Sequence, residues 1–148
     1  MGKNRRTTAF RREFRSALTE VDAVCFELRP LLEAAGLGGA LFRIELLARE
    51  FLNNAVIHGN KAKAEKKVLF ELRIGRKWIL LSVADGGAGF NRRRTAAAGA
   101  ARRTATCGRG LSIAAAYAAR VAYNRRGNSV RIWVSKENNG GLNGKLQH

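Results

Sequence analysis

Glu50-Phe51-Leu52-Asn53-Asn54-Ala55-Val56-Ile57-His58-Gly59-Asn60 is the stretch on which both fold and chemistry turn. It sets a carboxylate, Glu50, and a carboxamide, Asn54, one helical turn apart in an otherwise apolar segment. Read as a helix, it projects both from one face, ~40° apart around the axis. That face borders an apolar arc of Ile44, Leu47, Ala48, Phe51, Leu52 and Ala55. Such an arc packs into a core, and its polar edge looks into a pocket beside that core. In a pocket the carboxylate can take a proton, and the amide oxygen can ligate a hard cation such as Mg²⁺. A Glu–Asn pair is also a common feature of a solvated helix face. The stretch by itself leaves both readings open.

Upstream, Phe10 to Leu18 carries Phe10, Phe14 and Leu18 among arginines and reads as a first strand at a sheet edge. Thr19-Glu20-Val21-Asp22 resembles a capping box with Asp in place of Glu. A helix follows to about Ala35, with Val21, Val24, Cys25, Leu28, Leu31 and Leu32 at helical spacing and a kink or break expected at Pro30. Gly36, Gly38 and Gly39 punctuate the chain before the next helix, about Leu41 to His58, which Gly59 stops.

Downstream, Lys61 to Lys67 is a polar connector. Val68 to Ile74 and Trp78 to Val83 read as two strands joined by a turn at Gly75-Arg76-Lys77. The second is almost continuously apolar, which predicts a central position in the sheet. It runs into Asp85-Gly86-Gly87-Ala88-Gly89-Phe90. Asn91 to Cys107 has no apolar period and reads as a mobile loop. Gly108-Arg109-Gly110 opens a helix to about Ala119. Val121 to Asn124 and Val130 to Val134 form a last hairpin across Arg125-Arg126-Gly127-Asn128. The expected domain is 9–136, between a basic tail, 1–8, and a Gly/Asn-rich tail, 137–148.

Three polar signals therefore come in order: Glu50 and Asn54 on a helix, Asp85-x-Gly87-x-Gly89 at the end of a central strand, and Gly108-x-Gly110 at a helix start. Each has a bland reading as a cap or a turn. Together they have complementary jobs. An aspartate at a strand end accepts a hydrogen bond from an exocyclic amine such as that of adenine. Glycines beside it let base and ribose approach the backbone. Backbone N–H groups at a helix start face anions. Asn54 would hold Mg²⁺ against phosphates, and Glu50 would take a proton from an incoming hydroxyl. The P-loop spacing and the Rossmann glycine fingerprint are both missing.

Glu50-x-x-x-Asn54-Ala55-Val56-Ile57-His58-Gly59, Asp85-x-Gly87-x-Gly89-Phe90 and Gly108-Arg109-Gly110-Leu111 resemble the asparagine box and the two glycine boxes of the Bergerat-fold (GHKL) ATPases. The wording of the first and last is similar to that of the anti-sigma-factor serine/threonine kinases. The likeness spans roughly Thr19 to Ser135. It implies an α/β two-layer sandwich: a mixed, mostly antiparallel sheet with helices on one face, and ATP between the helices and a lid. It further implies that Glu50 is the catalytic base and Asn54 the Mg²⁺ ligand. Asp85 would read adenine, with Gly87, Gly89 and Phe90 in its box, and Gly108, Arg109, Gly110 and Leu111 would meet the phosphates. His58, one turn beyond Asn54, closes the first box. The partners implied are a STAS-type anti-anti-sigma protein, which is phosphorylated, a sigma factor, which is sequestered, and a second copy of the chain in a homodimer. The lid, Asn91 to Cys107, is richer in Arg and Ala than the family pattern. Arg92, Arg93, Arg94, Arg102 and Arg103 could order on a triphosphate.

The chain has 148 residues, 46% of them hydrophobic, which suits one domain with a real core. No apolar run spans a bilayer. Met1 to Arg6 lacks the apolar stretch of a signal peptide, so a cytoplasmic setting is expected. Cys25 reads as a small core residue and Cys107 as part-exposed; two cysteines make neither a disulfide framework nor a zinc site. The formal charge of +17 favours polyphosphates, acidic proteins or nucleic acid as partners. No basic helix with interleaved aromatics and no zinc-finger spacing supports nucleic acid. Two alternatives to a kinase stay open: a partner-switch module that binds ATP without transfer and, on charge alone, a nucleic-acid-binding protein.

Overall fold

The computed structural model describes residues 7–61, 63, 65–86 and 116–137. The expectations for Gly87, Gly89, Phe90, the loop 91–107, Cys107, and Gly108 to Leu111 lie outside the described residues.

The elements follow in the order β1 (Thr7–Arg15), α1 (Leu18–Ala34), a 3₁₀ turn (Gly38–Ala40), α2 (Leu41–Asn54), a π turn (Ala55–Gly59), β2 (Lys67–Ile74), β3 (Trp78–Asp85), β4 (Arg120–Tyr123) and β5 (Ser129–Ser135). The sheet order is β1-β2-β3-β5-β4, so the apolar strand β3 is central and β1 lies at an edge, as the sequence predicts. All four ladders are antiparallel, and no parallel pairing occurs among the described strands.

Period-two patterning decides which face is covered. Val68, Phe70 and Leu72 of β2, Ile79, Leu81 and Val83 of β3, and Val130, Ile132 and Val134 of β5 all enter one buried cluster. The same cluster takes Val21, Val24, Cys25, Leu28 and Leu32 from α1, and Ile44, Leu47, Ala48, Phe51 and Leu52 from α2. Both helices thus cover one face of the sheet, giving two layers. Each large side chain buried in this interface stabilises the fold by about 1.5–3 kcal/mol. Burial raises the Cys25 thiol pKa, which keeps it protonated and inert in the core.

Three boundaries and the effect of Pro30 differ from expectation. Thr7 and Thr8, read as tail, already pair with Ile74 and Arg73. The first strand ends at Arg15 rather than Leu18, because Ser16 N–H turns to the Lys66 carbonyl at 3.0 Å and the helix begins at Leu18. Thr19 is no cap: Ala17 takes that position without a side-chain bond, and Thr19 and Glu20 fall in the first turn. Here the sheet, not a capping hydroxyl, sets the helix start. Pro30 does not break α1. The carbonyl it leaves without a partner is that of Phe26, a residue 73% exposed, where water can satisfy it.

α2 and its π turn carry the main refinement. The expected helix to His58 is regular only to Asn54; Ala55–Gly59 then opens into a π turn closed by Asn60 N–H on the Ala55 carbonyl at 2.8 Å. Gly59 is the last residue of that turn. The chain leaves through Lys61 at φ 51°, the one non-glycine left-handed residue among those described.

Candidate functional site

α1 flanks α2 on one side only. Arg29 grips Glu45 through two bonds, Nε at 3.1 Å and Nη2 at 2.8 Å, and Arg49 pairs with Asp22. These contacts hold the Glu45 carboxyl below the usual carboxylate range. At 100° per residue, Glu50 and Asn54 lie about 140° and about 180° around the axis from Glu45. They therefore occupy the flank turned away from α1. Both are half-buried, whereas Leu47, Phe51 and Ala55 beside them are buried. The polar edge expected of α2 is real and is not covered by α1.

The strand side of the site follows from register. Ile79, Leu81 and Val83 point to the helices, so Asp85, two residues beyond Val83, points the same way. It emerges where the sheet runs past the apolar core, under the end of α2. There Gly59 meets it. A Cβ placed on Gly59 would lie 2.3 Å from Asp85 Oδ2 and 2.4 Å from its Cγ. Only a residue without a side chain leaves room for this carboxylate. Gly59 thus does more than stop a helix: it lets the α2 turn and the β3 end close on one another.

Two asparagines fix the backbone around Asp85. Asp85 N–H donates to the Asn128 carbonyl at 2.9 Å, in the β4–β5 loop. That loop is itself organised by Asn124 Oδ1, which accepts from the N–H groups of Gly127, Asn128 and Ser129 at 2.8, 3.0 and 3.1 Å. On the other side Gly86 N–H donates to Asn60 Oδ1 at 2.8 Å, and Asn60 Nδ2 donates to the Lys67 carbonyl at 3.1 Å. Asn60 is fully buried. These supporting roles were missed by the sequence reading. The only signal was a polar residue directly after an amphipathic helix, which reads equally well as loop.

The structure therefore brings Gly59 to Asp85, while Glu50 and Asn54 lie earlier on the same helical segment, on its flank away from α1. His58 belongs to the same turn but is exposed. The donor set suits a nucleotide with a divalent cation. A carboxylate lies against a bare glycine backbone at Gly59, and the Asn54 carboxamide sits one turn along from the Glu50 carboxylate. The π turn joining them is a feature common at functional sites.

The family model of the histidine kinase-like ATPase domain matches residues 14–134. The chain belongs to this family. Its match runs from Phe14, near the end of β1, to Val134 of β5, and so covers both helices and all of the described sheet except most of β1 and the last residue of β5. A histidine kinase-like ATPase domain is an ATP-binding module of the GHKL superfamily, commonly with Mg²⁺, and its two-layer architecture is the one seen here. No curated protein matches the chain. Among the described residues no helix is long and apolar enough to cross a membrane.

Proposed function

We propose that the chain is an ATP-dependent serine/threonine protein kinase of the anti-sigma type. It would phosphorylate a STAS-type anti-anti-sigma protein and, in its other state, sequester a sigma factor, as a homodimer in the cytoplasm. The observation that carries the nucleotide part is the closure of Gly59 on Asp85, which joins the two sequence boxes at one corner. The kinase part is supported by the carboxylate at Glu50 and by the wording of the boxes in the sequence.

The chain's own residues divide the work. Asp85 accepts a hydrogen bond from the exocyclic amine of the base. Gly87, Gly89 and Phe90 complete that box. Asn54 would hold Mg²⁺ through its carboxamide oxygen, and Gly108, Arg109, Gly110 and Leu111 would meet the phosphates. Glu50 takes the proton of the attacking serine or threonine hydroxyl at its carboxylate. His58, exposed in the π turn, closes the first box. Mg-ATP supplies the terminal phosphoryl group. The +17 charge draws in both a polyphosphate and an acidic protein partner.

The test is single-turnover phosphate transfer from Mg-ATP to a STAS-type protein. Glu50→Gln should keep Mg-ATP binding and slow transfer by roughly 10²–10⁴-fold. Transfer at the parental rate would remove Glu50 from the mechanism. Binding with no transfer by the parent itself would leave the non-catalytic switch module as the function.

A further inference from the structure

We propose that Asn60 is a positioning residue that sets the Asp85 carboxylate against the base, and so governs discrimination between nucleobases. The proposal rests on the reading above, in which Asp85 meets the exocyclic amine of ATP.

Three side chains with polar groups are buried among the described residues: Ser16, Arg43 and Asn60. Two leave an atom without a partner, Ser16 Oγ and Arg43 Nε. Asn60 differs. Its Oδ1 accepts from Gly86, its Nδ2 donates to Lys67, and its backbone N–H closes the π turn on Ala55. Burying an amide is unfavourable unless both halves are bonded, so one bonded at both its oxygen and its nitrogen is a rigid three-way joint. The segments it joins are the end of the α2 turn, the start of β2 and the residue after Asp85.

The location of the joint gives it a specific consequence. Asn60 is the chain neighbour of Gly59, whose Cα lies under the Asp85 carboxylate. It is also hydrogen-bonded to Gly86, the chain neighbour of Asp85. Asp85 is therefore held from below and from behind by consecutive residues, Gly59 and Asn60. If the Asn60–Gly86 bond goes, the strand end can lift from the π turn, and the carboxylate moves relative to any base seated on it. A hydrogen bond to a carboxylate weakens steeply with misalignment. A base without the amine has nothing to lose by the same movement.

ATP and inosine triphosphate differ at that amine, which inosine replaces with a carbonyl. Affinities for both, with Mg²⁺, are measured by calorimetry for the parent, Asn60→Ala and Asn60→Asp, with folding checked by circular dichroism. The parent should prefer ATP. Asn60→Ala should lose roughly tenfold in ATP affinity, bind inosine triphosphate within about threefold of the parent, and so lose the preference. Asn60→Asp keeps an acceptor for Gly86 N–H and should keep the preference even if its melting temperature falls. A role confined to stability would lower the melting temperature and leave the ratio unchanged. An unchanged ratio in folded Asn60→Ala overturns the proposal. If the alanine variant does not fold, loss of the ratio in folded Asn60→Asp overturns it, and retention supports it. A parent without preference overturns the Asp85 reading and this proposal together, whereas a discriminating parent with an equally discriminating alanine variant removes Asn60 alone.

Discussion

The two ends of α2 are fastened in opposite ways. At its start Arg43, 6% exposed, reaches Nη1 to the carbonyls of Ser135 and Glu137 at 3.0 and 3.4 Å, just past β5. Burial pushes the Arg43 guanidinium below the ordinary arginine pKa, and its Nε has no partner. At the other end the neutral Asn60 is completely buried with both halves of its amide bonded. A buried cation costs much desolvation and is often replaceable by an apolar chain of like volume, whereas a satisfied amide between three segments defines geometry. The first end holds the helix to the sheet. The second holds it at a fixed height over Asp85, and that is where the candidate chemistry lies.

The strongest way to break this contrast is Gly59→Ala. Gly59 does not have a positive φ, so helix propensity alone favours alanine by about 1 kcal/mol. Crowding says the reverse, because the new Cβ falls 2.3 Å from Asp85 Oδ2. The expected result is a destabilisation of about 1–3 kcal/mol and a loss of ATP affinity of roughly tenfold or more. Urea unfolding and calorimetry read the two effects. A more stable variant with parental affinity would mean that the corner is not closed on Asp85.

At the opposite end, Arg43→Met keeps most of the volume and removes the buried charge. It should change unfolding free energy by no more than about 1 kcal/mol in either direction and leave ATP affinity alone. A loss beyond about 3 kcal/mol would show that the cation is indispensable, and the contrast between the ends would fail.

The smallest effect is expected midway along α2, on the α1 seam. Glu45 is held ionised chiefly by its hydrogen bonds from Arg29, which lower its folded pKa. A carboxyl depressed on folding adds stability above its unfolded pKa, and that stability is lost as pH falls through the folded value. Glu45→Gln should therefore lower the melting temperature slightly at pH 7. The difference from the parent should fade in acid, below the ordinary carboxylate pKa. A difference that grows on acidification would contradict the pairing.

How much of this was legible in the sequence depends on how local each feature is. The arc on α2 and the helical spacing of Val21 to Leu32 leave a period because one face is buried, and the apolar run of β3 marks a strand covered on both sides by its neighbours in the sheet. Asp85 was legible as the residue where that run turns polar. The joint at Asn60 was not, because its partners Ala55, Lys67 and Gly86 are brought to it only by the fold. The π turn was hidden for a different reason: a bond to the fifth residue back and one to the fourth leave nearly the same pattern of side chains. The start of α1 was misread because Thr19 looks like a cap, while a backbone bond from Ser16 to Lys66 settles where the chain turns. Pro30 does not break α1, since its cost depends on whether the freed carbonyl is exposed, and sequence does not give that.

The central claim is that the carboxylate over Gly59 reads adenine. Calorimetric titration of Mg-ATP into the parent and into Asp85→Asn tests it most directly, with circular dichroism to confirm that both are folded. The parent should bind saturably. Asp85→Asn should bind roughly tenfold more weakly or worse, and by the same factor when Mg²⁺ is withheld, because the lost contact is to the base. Equal affinity of the two folded proteins for ATP would contradict the account.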